Sequence, residues 1–122
     1  RLILDSNVLI YISQNKIDLK DLPGDYNEIF ISSISYMEVL GFEFNDPNTE
    51  KTITELIQCF EIIHTNIEIS KKVVEYRKKK KNKIPDAIIL ASAKFIEADL
   101  FTYNTYDFKN LDDSVHIFNL PF

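Results

Sequence analysis

Acidic side chains recur in this sequence where apolar runs begin or end. Asp5 follows Leu2-Ile3-Leu4, and Glu38 stands in the first turn of a helix-like segment after Ile29-Phe30-Ile31. Asp86 opens a long apolar segment behind Pro85, and Asn104 and Asp107 follow Leu100-Phe101-Thr102. Carboxylates gathered at one edge repel each other unless a cation joins them. A donor set made of oxygens selects a hard ion such as Mg2+ or Mn2+. Ions of that kind bind phosphate oxygens and acidify water, the standard route to phosphodiester hydrolysis. Other phosphate chemistry is disfavoured: there is no P-loop Gly-Lys pattern and no Gly-rich dinucleotide fingerprint. With only two glycines, a backbone cradle for phosphate is not expected.

These residues need a scaffold that brings them together. Arg1 to Leu4 reads as a buried strand, followed by a helix from Val8 to Ile12 that Ser6 or Asn7 would cap. Lys16 to Asn27 is polar, and Pro23-Gly24 marks a turn. Glu28 to Ser32 reads as a second strand. Ser35-Tyr36-Met37-Glu38 has the spacing of a capping box at the start of the next helix. Asp46-Pro47 supplies a cap and a first-turn proline for another, with Ile53, Leu56, Ile57 and Phe60 as its apolar stripe. Phe60 to His64 is a candidate strand, and Ile69, Val73 and Tyr76 suggest a helix running into the basic stretch Arg77 to Lys83. The segment Asp86 to Phe95 is apolar almost all round, which predicts a central buried helix. Asp99 to Tyr103 and Val115 to Phe118 complete the strands. Alternating strands and helices, without a linker-like break or repeat, predict one α/β domain over residues 1–122 with a mainly parallel sheet. Ligand sites in such sheets lie beyond the carboxyl ends of the strands.

Each acidic residue also has a plainer reading. Asp5 could cap a helix, Glu38 could be the reciprocal half of the capping box, and Asp86 could favour the positive end of a helix dipole. Asp107 could cap a turn, and Asn104 could hold a left-handed one. Chemistry gains weight from the set.

The set resembles a family. "LILDSNVLIYI", with Asp5 and Asn7, is similar to the first motif of PIN-domain nucleases; "ISSISYMEVLGF" is similar to the second and carries Glu38. "IPDAIILASAKFIEADLFTYNTYDF" resembles the third and fourth, with Asp86, Thr102, Asn104 and Asp107. The ordered series runs from residue 2 to about residue 118. Small size and the Asp86–Asp107 segment look like the VapC toxins of bacterial toxin–antitoxin pairs. The resemblance implies a three-layer α/β/α fold and a Mg2+- or Mn2+-dependent ribonuclease restrained by a cognate antitoxin, with a homodimer as its assembly. By position, Asp5, Glu38 and Asp86 would be metal ligands and catalytic residues. Asn104 stands where many members have Asp; it brings a carbonyl oxygen but no charge, and Asp107 would supply the further carboxylate. Ser6, Asn7 and Thr102 would orient the ligands by hydrogen bonds. The implied mechanism is attack by a metal-activated water, with Asp5 and Asp86 on the ion and Glu38 or Asp107 orienting the water.

Composition fits this and narrows it. The net charge of −5 argues against a protein that coats nucleic acid by bulk charge. Cys59 is the single cysteine, so an internal disulfide is impossible and a reducing, cytoplasmic setting is expected; it reads as a packed free thiol. No apolar run approaches a membrane span, and Arg1 opens with no signal-peptide pattern. The basic run Arg77 to Lys83 lies just ahead of Asp86; it is either a solvated helix end or a phosphate-attracting flank. Tyr103 and Tyr106 could stack on bases or simply pack. His64 and His116 read as structural. Among rivals, a phosphatase with Asp5 as nucleophile wants a second Asp where Asn7 stands. A receiver domain wants an acidic pair at the first strand. An inactive PIN-like scaffold would more often have lost Asp5, Glu38 or Asp86, and a PIN nuclease without an antitoxin stays open.

Overall fold

A computed structural model describes residues 1–22 and 27–119; the Pro23-Gly24 turn lies outside them. Among these residues the chain forms β1 (Leu2–Leu4), α1 (Ser6–Ser13), a short 3-10 turn (Leu19–Asp21), β2 (Ile29–Ser32), α2 (Ser33–Leu40), α3 (Pro47–Ile57) and β3 (Glu61–Ile63). It continues with α4 (Ile67–Lys79), α5 (Ile84–Phe95), β4 (Asp99–Thr102), α6 (Thr105–Phe108) and β5 (Ile117–Asn119). The sheet order is β3-β2-β1-β4-β5, and every pairing is parallel. After β1 the chain moves out to β3, then returns to the other side of β1 for β4 and β5. The reversal places a crevice at the carboxyl ends of β1 and β4, where open α/β sheets bind ligands.

Period-2 alternation divides the strand side chains between two cores. Ile3, Phe30 and Leu100 lie in register and face α4, α5 and α6. Leu4, Ile31 and Phe101 lie in register and face α1, α2 and α3. The fold is a three-layer α/β/α sandwich. Leu2, Ile3 and Leu4 are wholly buried, each worth about 1.5–3 kcal/mol of burial. That anchors the backbone immediately ahead of Asp5. Truncating Leu4 to alanine would cost roughly 2–5 kcal/mol.

Helix ends depart from expectation in ways that matter for the site. Asp5, not Ser6 or Asn7, caps α1, its Oδ1 accepting from Ser6 N at 2.8 Å. α2 opens at Ser33 with Ser32 as its cap, so the Ser35–Glu38 capping box does not form and Glu38 falls in the second turn. Asp46 caps α3, with Pro47 in its first turn, as expected. β2 starts at Ile29, β3 spans Glu61–Ile63, and β5 starts only at Ile117 because Val115 turns into the core instead.

α5 buries Ala87 and the run Ile89 to Ala93, but its ends expose Ile84 and Phe95. It stops where Glu97 adopts a left-handed φ of 55° and Ala98 N bonds back to Ala93 O at 2.8 Å, turning the chain into β4. α4 ends at Lys79, and Lys80 leaves the helix in extended geometry. The basic stretch is therefore half helix and half connector to α5. Cys59 is exposed rather than packed, and so are His64 and His116, the latter edge-on to Phe118. Among the described residues no helix is long and apolar enough to cross a membrane.

Candidate active site

Parallel pairing sets the geometry at the sheet edge. Leu4 lies opposite Phe101, and Asp5 N donates to Phe101 O at 2.9 Å, which brings Asp5 beside Thr102. Thr102, itself wholly buried, donates its hydroxyl to Asp5 Oδ2 at 2.7 Å and accepts from Asn104 N at 2.9 Å. Ser6 N holds the other oxygen of Asp5, which is 6% exposed. Asp5 is thus locked between two strands and the first turn of α1. It caps α1, and the cap itself holds the carboxylate at the sheet edge toward which Glu38, Asp86 and Asp107 are also directed.

α2 lays Ser35 and Glu38 on one face, one turn apart. Ser35 is buried; its hydroxyl lies 3.0 Å from that of Ser6, which donates to Glu38 Oε1 at 2.8 Å. The single Ser6 proton is spent on Glu38, so Ser35 donates to Ser6. Asn7 Oδ1 accepts from Tyr103 N at 3.3 Å and ties α1 to the end of β4. On α6, Asn104 Nδ2 donates to Asp107 Oδ2 at 2.5 Å; Asn104 orients the Asp107 carboxylate. Asp86 comes in from the first turn of α5, half-buried.

The electrostatics join these groups. Burial pushes the Asp5 carboxyl above the ordinary carboxylate range; the Thr102 and Ser6 hydrogen bonds oppose this, and the charges of Glu38 and Asp107 add to it. The Asp86 carboxyl is pushed up to about 6, first by burial, then by the charges of Asp5 and Asp107, with Lys83 opposing and Glu38 adding. Asp5 and Asp86 therefore both feel the charges of Glu38 and Asp107. As they stand, no three acidic, imidazole or thiol groups among the described residues are close enough to share one ion. Glu38 is exposed, and Asp86 and Asp107 only half-buried, so rotamer changes can bring them in. The donor set is all oxygen, and Asp5 keeps a second lone pair on each hydrogen-bonded oxygen. By donor chemistry the set suits Mg2+ or Mn2+.

Beside Asp86 and Asp107 runs a groove of about 250 Å³, flanked by Lys81, Lys83 and Tyr106. Two side chains near the site play other parts than local sequence signals indicate. Ser35 has capping-box spacing to Glu38, but Ser32 is the cap and Ser35 shares the Glu38 face of α2. Of the two readings for Tyr106, burial does not hold: it is 79% exposed, and the buried Phe108 anchors α6.

The PIN domain family model matches residues 2–114. No curated protein sequence matches the chain. Solved structures with the same fold include a toxin-antitoxin complex from Klebsiella pneumoniae, 28% identical, covering 98% of this chain and 100% of that one, with a TM-score of 0.74. VapBC2 from Rickettsia felis bound to a DNA fragment from its promoter is 20% identical, covering 98% of each chain, with a TM-score of 0.79. VapBC-1 from nontypeable Haemophilus influenzae is 21% identical, covering 97% and 96%, with a TM-score of 0.75. With the family model spanning nearly all of the described fold, the chain belongs to the PIN domain family.

Proposed function

We propose that this chain is a metal-dependent endoribonuclease and the toxin of a toxin–antitoxin pair. One observation carries the nuclease reading. Asp5, buried and fixed by Ser6 and Thr102, shares the carboxyl end of the sheet with Glu38, Asp86 and Asp107, and burial first, then the neighbouring like charges, raise the proton affinity of Asp5 and Asp86. Buried and mutually repelling carboxylates are relieved when a cation joins them. Asp5, Asp86 and Asp107 would hold the ion, with Glu38 alongside. When bound, the ion would neutralise charge on a phosphate oxygen and make water a competent nucleophile near neutral pH.

The chain's own residues do the rest. Thr102 and Ser6 keep Asp5 in one orientation, Ser6 and Ser35 aim Glu38, and Asn104 aims Asp107. Glu38 and Asp107, the more accessible pair, are the groups to accept the proton of the attacking water. RNA as substrate follows from the family that the motifs resemble. The toxin assignment extends to this chain what the Klebsiella pneumoniae complex is titled, at 28% identity over nearly the full length. A cognate antitoxin is then the expected partner, and a homodimer the expected assembly.

The test is cleavage of a mixed RNA pool by purified protein with Mg2+ or Mn2+, beside EDTA and the Asp5→Asn variant. Metal-dependent cleavage lost in the variant is expected, together with growth arrest on expression in bacteria that the same substitution relieves. Full cleavage by Asp5→Asn would remove the site assignment. No cleavage and no Mn2+ binding would leave an inactive scaffold.

A further inference from the structure

RNA carries negative charge to a protein whose net charge is −5 and whose candidate site is itself acidic. Something nearby must offset that repulsion. The groove beside Asp86 and Asp107 supplies it: Lys81 and Lys83 flank it, and Tyr106 presents an exposed ring at its side. Among the described residues neither lysine is within ion-pair distance of a carboxylate, whereas Lys79 and Lys80 donate to the carbonyls of Leu111 and Lys109. Lys80 lines the groove as well, with its ammonium held by the Lys109 carbonyl, so Lys81 and Lys83 are the groove lysines left to meet an anion.

Tyr106 is equally particular. It sits on α6 one residue from Asp107, and α6 is pinned by buried Phe108 and by Lys109 N bonding back to Tyr106 O at 3.3 Å. A large aromatic ring held 79% exposed on a pinned turn loses apolar burial for no gain in packing. What such a ring offers is a flat face, next to a carboxylate of the site and facing cations.

We infer that Tyr106, with Lys81 and Lys83, forms a stacking platform that seats an unpaired base of the RNA next to the cleaved phosphodiester. Such a platform can take only a base that is unpaired. In a duplex the bases are stacked on their neighbours and their faces are out of reach of a side chain. Lys81 and Lys83 hold the adjacent phosphates as point charges, and Tyr106 fixes the register of the strand over Asp86 and Asp107. Tyr106 is a positioning residue. The inference rests on the nuclease reading for its substrate, and the experiment separates the two.

Wild type, Tyr106→Ala and Tyr106→Trp are compared in two assays. In EDTA, where metal-dependent cleavage cannot occur, the Kd of a labelled single-stranded RNA of about ten nucleotides is measured beside that of the same sequence as a duplex. With Mn2+, KM and kcat are measured on the single strand. Tyr106→Ala is expected to weaken single-strand binding roughly tenfold and to raise KM by a similar factor with a smaller change in kcat. Tyr106→Trp restores both, and duplex binding is indifferent to residue 106. Because Tyr106 is exposed, these variants fold. Single-strand binding and KM unchanged in Tyr106→Ala would overturn the platform while leaving the nuclease standing. Tyr106-dependent binding without any cleavage would uphold the platform and sink the nuclease. Equal losses on duplex and single strand would overturn it in favour of simple charge attraction.

Discussion

Asp86 and Asp112 are both half-buried carboxylates, one at the start of α5, the other in the loop between α6 and β5. Their proton affinities move in opposite directions. Burial works against the charge of both. At Asp112, hydrogen bonds from the Ser114 side chain, Tyr76 and the Ser114 backbone, with Lys94 nearby, outweigh burial and hold the carboxyl below its usual value. At Asp86, the next contributions are the like charges of Asp5 and Asp107, and Lys83 alone opposes them. The Asp112 corner spends its charge on holding chain to chain. The Asp86 corner leaves carboxylates crowded, a cost that folds accept where a site must act on something else. On the proposed function, this difference distinguishes the two acids more sharply than burial does.

The largest effect should come from exchanging charge for shape at each corner. Asp5→Asn is expected to lower RNA cleavage roughly a thousandfold while the melting temperature holds or rises, because a buried charge has gone. Asp112→Ala is expected to do the reverse: cleavage stays close to wild type, and stability falls by about 1 kcal/mol as Tyr76 loses its acceptor. Parallel activity assays and thermal melts read both. A stability loss in Asp5→Asn matching that of Asp112→Ala would erase the contrast.

A subtler break is Thr102→Val, which keeps the volume but removes the donor to Asp5 Oδ2. Outer partners of this kind typically tune metal affinity or activity by about 10- to 100-fold. The expected signature is a higher Mn2+ requirement, partly overcome at high Mn2+, which a loss of fold would not show. An unchanged Mn2+ titration would make Thr102 a packing residue only.

The two corners should also respond to pH with opposite sign. In EDTA the folded Asp86 carboxyl titrates at about 6, against about 4 for the unfolded chain. Between those values the folded protein holds more protons, so stability declines as pH rises through the window. Asp5 contributes in the same direction. Asp112, with its lowered pKa, adds stability that is fully present above the ordinary carboxylate value and is lost as pH falls through the folded one. Melting curves across pH 4–6 should flatten in Asp86→Asn, and below about pH 4 Asp112→Asn should lose part of the rise in stability with pH that wild type shows. Flattening by the wrong variant would reverse the assignment.

Most of this frame was legible in the sequence, for identifiable reasons. Strands such as Leu2-Ile3-Leu4 are continuous apolar runs because a parallel sheet covered on both faces permits nothing else, and the Asp46-Pro47 start of α3 is a local signal that no tertiary contact overrode. Ser35-Glu38 misled because its spacing satisfies two rules at once. Ser32 won the cap, which released Ser35 and Glu38 to meet Ser6 across the sheet edge. That contact spans distant parts of the chain, and spacing cannot see it. The basic run misled in another way: composition shows a block of charge but not which ammonium groups the fold consumes.

That block carries the smallest prediction. Lys79 and Lys80 reach the carbonyls of Leu111 and Lys109 at 3.2 and 2.8 Å, so they tie down the loop that bears Asp112. Lys80 also borders the groove beside Asp86, but its ammonium is turned to the Lys109 carbonyl, whereas Lys81 and Lys83 line the groove without such a bond among the described residues. If the two corners divide the work, one run of lysines divides with them. Neutralising Lys81 and Lys83 to glutamine should lower the salt dependence of single-stranded RNA binding by about 0.7 in log–log slope per residue, and leave stability within about 0.5 kcal/mol. Lys79→Gln should leave the slope alone and cost about 0.5 kcal/mol of stability. Salt titrations of binding beside urea melts distinguish the two. Equal loss of slope at Lys79 and at Lys81 would mean that the run acts as one diffuse cloud of charge, and that the boundary between holding the fold and meeting the substrate does not pass between Lys79 and Lys81.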